Sequence, residues 1–239
     1  SNEPVHRGAS GWRDRHHSIR ARHVRKACQM REDLVRQLRG RNSRIIAAVI
    51  RKSKMVCPGS IALIGIAGSF HSGDIHERSD LDLCIVTNDD DGSRVASCFI
   101  LGQVAHDIYC TPWQRLDAMA EYTDPYVTKL LELDMVYCLD DRSESRYLAL
   151  REKVKAKLAS PFSDEDMQKV TIHLENAMKE YARVVLSDDA ADCKYASARM
   201  LCSIEYVIYM ANKSYVKRGI RRIPEELEAM RKLPDGFMR

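Results

Sequence analysis

The chain has 239 residues, of which 45% are apolar and 30% charged, enough to bury one large core or two ordinary ones. No apolar run approaches the ~18 residues that a membrane span requires, and a charged N-terminal region without an apolar centre shows no signal-peptide pattern. The net charge of +4 is unevenly spread: residues 1–54 hold fifteen Lys and Arg against four Asp and Glu, and the rest holds twenty-three against thirty.

Residues 1–17, rich in Gly, Ser, Arg and His, are expected to be a disordered basic arm. From Ser18 to Lys54 apolar residues recur at helical spacing, with a break expected at Gly40, and Cys57-Pro58-Gly59-Ser60 stops the helix. Strands are expected over 61–67 and 81–87, a turn at Asn88–Gly92, and a hairpin of 97–101 with 104–110. Helices are expected over 113–122 and 125–133, then a short strand at Met135–Leu139. Amphipathic helices follow over 143–159, 164–187 and 192–213, and a last one after Pro224. The organisation expected is an arm (1–17), an α/β domain (18–142) and a helical domain (143–239).

The basic head suits a polyanion such as nucleic acid, but Trp12 is its only aromatic residue, so base stacking is not favoured. His16, His17 and His23 could add metal-binding capacity there, but a solvated helix or homodimer contact is the favoured reading of the head. The eight cysteines show no Cys-x-x-Cys spacing, which argues against structural zinc and fits a reducing cytoplasm.

The chemistry is concentrated in Gly68-Ser69, a ten-residue loop, and Ser79-Asp80-Leu81-Asp82-Leu83 at the head of an apolar strand. Two carboxylates one residue apart on a strand share a face. They repel each other unless a divalent cation lies between them, and hard cations such as Mg²⁺ take oxygen ligands while leaving room for phosphates. Gly68 and Ser69 put bare backbone and a hydroxyl where a phosphate can approach. No Walker A pattern is present, so phosphate binding rests on these two residues and on metal.

The run from Gly68-Ser69 through Gly73 to Ser79-Asp80-Leu81-Asp82 resembles the signature of the polymerase-beta-type nucleotidyltransferases, tightly over about residues 60–111. The resemblance implies an α/β (α+β) mixed sheet with flanking helices, followed by a helical bundle. It implies two Mg²⁺ ions on Asp80, Asp82 and a third carboxylate, for which Asp107 is the candidate and Asp117 or Glu121 the alternatives. The substrate would be an NTP held by Gly68, Ser69 and Ser79, with Lys194 and Tyr195 as further triphosphate contacts. A helical partner of this size resembles aminoglycoside nucleotidyltransferases and their bacterial relatives, which implies AMP transfer to a small-molecule hydroxyl, with Glu205 available to bind a cationic acceptor or act as a base. Transfer to a protein or RNA end and a non-catalytic, antitoxin-like role are the alternatives.

Overall fold

A computed structural model describes residues 10–238, with side chains from Gln29 onward. Of the expected arm, residues 1–9 lie outside the described residues, as do the side chains of Trp12, His16, His17 and His23. The first element, α1 (Ser10–Val56), runs without interruption through Gly40. This corrects the expected break. Gly40 is exposed, and a Cβ there would meet nothing within 4 Å, so it costs only the ~1 kcal/mol of an interior helical glycine. Flanking turns anchored by Leu38, Asn42, Ile45, Val49 and Ser53, all buried on one stripe, offset that cost.

The sheet contains β1 (Ile61–Ala67), β2 (Asp82–Thr87), β3 (Ser97–Leu101), β4 (Val104–Pro112) and β5 (Asp134–Cys138), in the order β3-β4-β2-β1-β5. Only β2 and β4 are parallel, with Asp82 opposite Asp107 and Val86 opposite Thr111. Apolar side chains cover both faces, which is why β1 and β2 read as continuous apolar runs rather than alternating ones. On one face Ile64, Leu83, Ile85 and Ile108 pack with Ile45 and Val49 of α1.

On the other face lie Leu63, Cys84 and Val86, covered by α3 (Trp113–Ala120), α4 (Thr128–Leu131) and α5 (Asp141–Ala159). Leu133 closes down on β1 so tightly that a Cβ on Gly65 would lie 2.3 Å from its Cγ. This core also takes in Val170 of α6 (Asp164–Leu186) and Met210 of α7 (Ala190–Ala211). Asp140 and Ser163 cap α5 and α6 by accepting backbone N–H groups, the latter in a reciprocal capping box with Asp166.

The segment after α7 returns to the α/β layer. Tyr122 donates its hydroxyl hydrogen to the Ser214 carbonyl at 2.6 Å, Thr128 donates to Val216 at 2.6 Å, and the Val216 N–H donates to Pro125. The buried ion pair of Lys213 with Asp166, 2.8 Å, ties the same segment to α6. A final short helix, α8 (Ile223–Glu228), packs Ile223 and Leu227 against Ile208 and Tyr209 of α7. Among the described residues no helix is long and apolar enough to cross a membrane.

Candidate active site

Gly68 leaves β1 with φ +68° and ψ −145°, a backbone state that side chains disfavour, and starts the four-residue helix α2 (Ser69–Ser72). Its missing Cβ has a second use. Asp82 heads β2 beside the end of β1, and a Cβ at position 68 would lie 2.1 Å from Asp82 Oδ2. The carboxylate therefore occupies the slot that glycine leaves open. The Ser69 hydroxyl is buried beside it with no hydrogen-bond partner.

Asp107 stands across from Asp82 in the parallel register, and Asp80 lies in the turn just before β2. Burial first, then the charges of Asp80 and Asp107, push the Asp82 carboxyl up to about 6. Concentrated negative charge of this kind is relieved by a cation, and the oxygen donors suit a hard one. Among the described residues no group of three or more His, Cys, Asp or Glu side chains is drawn together as a finished metal cage. The carboxylates are an open set whose remaining ligands would be phosphate oxygens and water.

Asp80 is placed by residues outside the motif. Arg41 of α1 donates to the Ser79 carbonyl at 2.8 Å and lies within reach of the Asp80 charge. His106, fully buried on β4, accepts the Leu81 N–H on Nδ1 at 2.9 Å. That bond fixes the tautomer with hydrogen on Nε2, which is buried without a partner. Burial, with Arg41 nearby, holds the ring's pKa down. Ser79 itself is buried, accepting the His76 N–H on its hydroxyl, and so shapes the turn.

Gly68, Ser69, Asp82 and Asp107 open onto a cavity of about 650 Å³ that also touches Tyr109, Thr111, Arg115, Tyr126 and Lys129, with residues 216–220 as its outer wall. Lys129 lies over the Tyr109 ring, 4.2 Å from its centroid, and burial lowers its pKa. Glu132 organises the junction of α2 with the outer wall: it accepts from Tyr215 and faces His71 Nε2 at 2.6 Å, while His71 Nδ1 faces Asp134 at 3.0 Å. Both of these ring contacts are hydrogen bonds only when the imidazole carries two protons. Arg218 and Arg222 meet Asp74, in the loop after α2, at 3.6 and 3.2 Å.

Residues 43–160 match the family model for the nucleotidyltransferase domain. This stretch, just under half of the chain, is a nucleotidyltransferase domain. No match was found among curated proteins. Among solved structures, the chain is similar to a nucleotidyltransferase-like protein from Exiguobacterium sibiricum, with 10% identity and a TM-score of 0.41. The similarity covers 74% of this chain and 60% of the length of that one.

Within this domain Gly68, Ser69, Asp82 and Asp107 all line the cavity, with Asp80 close enough to act on the Asp82 carboxyl. Ser79 is not among the lining residues, nor are Lys194 and Tyr195. Both of the latter are exposed on α7, where the guanidinium groups of Arg183 and Arg199 lie 5.8 and 5.7 Å from the centre of the Tyr195 ring. Glu205 is half-buried on α7 and its carboxyl is raised by burial, but it does not reach the cavity wall either. Asp117 is paired with Arg146, and Glu121 with Lys153 and Lys157, and neither lines the cavity, whereas Asp107 does.

The sequence alone did not single out Lys129, Glu132, His71, Arg41 or His106. Lys129 had a signal: it is the one cation within the apolar run of Tyr126, Val127, Leu130 and Leu131. The others depend on contacts between residues 25 or more apart.

Proposed function

We propose that the enzyme transfers an NMP, with ATP the first donor to test, to the hydroxyl of a small-molecule acceptor, releasing pyrophosphate. The observation that carries this reading is the Asp82 carboxyl, buried against Asp80 and Asp107 with no basic partner among the described residues and near the unpartnered Ser69 hydroxyl. The donor set fits Mg²⁺ on Asp80, Asp82 and Asp107; when bound there, the metal neutralises triphosphate charge and acidifies the acceptor hydroxyl.

The protein's own groups do the positioning. Ser69 donates its hydroxyl hydrogen to a phosphate oxygen, and Gly68 lets that phosphate come against bare backbone. Asp107, the most exposed of the three carboxylates, orients the attacking hydroxyl. The new bond forms between acceptor oxygen and the α-phosphorus as the bond from that phosphorus to the pyrophosphate oxygen breaks; the hydroxyl proton leaves to solvent. Arg41 and His106 hold the turn that carries Asp80. Ser79 enters only through that turn, and Lys194 and Tyr195 have no part in this reading.

The aminoglycoside-like acceptor that the motif resemblance implied would need carboxylates free to meet its ammonium groups. Asp74 and Glu132, the acids of the cavity wall outside the metal set, are engaged by Arg218, Arg222, His71 and Tyr215. A hydroxyl acceptor without several positive charges suits this wall better.

The test is pyrophosphate release with each NTP, with and without Mg²⁺, across sugars, sugar phosphates, aminoglycosides, RNA ends and proteins. Asp107→Asn should keep NTP binding yet slow transfer a hundredfold or more, on the order of 3 kcal/mol of barrier. Wild-type turnover in that variant, or Mg²⁺-independent release, would overturn the assignment.

A further inference from the structure

The cavity continues past the carboxylates along β4. Asp107, Tyr109 and Thr111 alternate on one face of that strand, and all three line the cavity. Thr111 is 1% exposed, yet its hydroxyl has no hydrogen-bond partner. Burying a hydroxyl without a partner costs free energy that a valine of the same shape would not. Arg115 and Lys129 also line the cavity, near enough to repel each other, and Lys129 is in addition within reach of the Asp107 charge. Among the described residues neither makes an ion pair. Two mutually repelling cations and an unsatisfied buried donor are a combination that an anion relieves.

We propose that Thr111, Arg115 and Lys129 form a subsite for a phosphate group carried by the acceptor. This rests on the proposed transfer reaction. The donor's own triphosphate is poorly placed to fill it. A phosphate held at Gly68 and Ser69 lies at the β1 side of β2, whereas Thr111 is on β4, at the opposite side. Thr111 also lies four residues beyond Asp107, about 13 Å at 3.3 Å per residue. The attacking hydroxyl at Asp107 and the phosphate at Thr111 then belong to one acceptor the size of a sugar phosphate.

Inorganic phosphate is the probe. It is titrated calorimetrically into the full-length protein saturated with Mg²⁺ and a non-hydrolysable ATP analogue, so that the triphosphate site is filled. Saturable binding is expected, weakened about tenfold or more by Arg115→Ala, which removes a charge-assisted contact, and also weakened by Thr111→Val. Affinity for the ATP analogue should be unchanged in both variants, and thermal melting should show Thr111→Val folded and no less stable than wild type. Absence of saturable phosphate binding to the nucleotide-loaded wild type, or equal affinity in Arg115→Ala, overturns the subsite. Failure of the analogue to bind counts against the transfer reaction instead, and the phosphate titration of the free protein then still decides the subsite.

Discussion

Asp82→Asn should make the ligand-free protein more stable at neutral pH. The Asp82 carboxyl is pushed up to about 6, whereas an unperturbed aspartate titrates near ~3.9. The folded protein therefore holds this proton more tightly than the unfolded chain does. Stability is highest with the group protonated, falls as pH rises from about 4 through about 6, and stays low above that window. A displacement of roughly two units corresponds to about 3 kcal/mol, an upper bound because the group keeps some contact with solvent.

Asparagine carries no charge at any pH, so the variant should gain about 1–3 kcal/mol at pH 7.5 and little at pH 4. For a chain of this length that is a rise in melting temperature of roughly 2–10 °C. The assay is thermal or denaturant unfolding of both proteins at both pH values, with divalent metal chelated. A variant no more stable than wild type at pH 7.5, or one with the same gain at both pH values, would show that Asp82 carries no electrostatic strain.

Gly68→Ala should abolish Mg²⁺-dependent nucleotide binding, because its Cβ would collide with Asp82 Oδ2 and its φ of +68° disfavours any side chain; calorimetry with a non-hydrolysable NTP checks it, and wild-type affinity would refute it. Gly65→Ala should cost about 1–3 kcal/mol of stability by overpacking against Leu133, read as a lowered denaturant midpoint. Its active site should survive in the folded fraction, since position 65 faces the core.

Much of this fold was legible because local and tertiary preferences agree. The strand at 61–67, the hairpin of 97–101 with 104–112 and the helices from 141 to 211 follow apolar periodicity and turn residues closely. Gly40 misled because a glycine is only a weak helix breaker when both neighbouring turns are packed. Asp80 and Asp82 were expected on one strand, but β2 begins at Asp82, and the turn before it is held by Arg41 and His106. Such partners are invisible in a local window. For the same reason Lys194 and Tyr195, chosen for charge and ring near a helix start, lie away from the cavity, while Lys129 and Glu132 lie in it.

The central claim is that the carboxylates around Asp82 bind nucleotide through a divalent metal. Its most direct test is titration of a non-hydrolysable ATP analogue into wild type, Asp80→Asn and Asp82→Asn, each with Mg²⁺ and with chelator. Wild type should bind only with Mg²⁺, and both variants, still folded, should lose at least about tenfold in affinity, or 1.4 kcal/mol. Equal affinity in all three proteins, with or without Mg²⁺, would contradict the account.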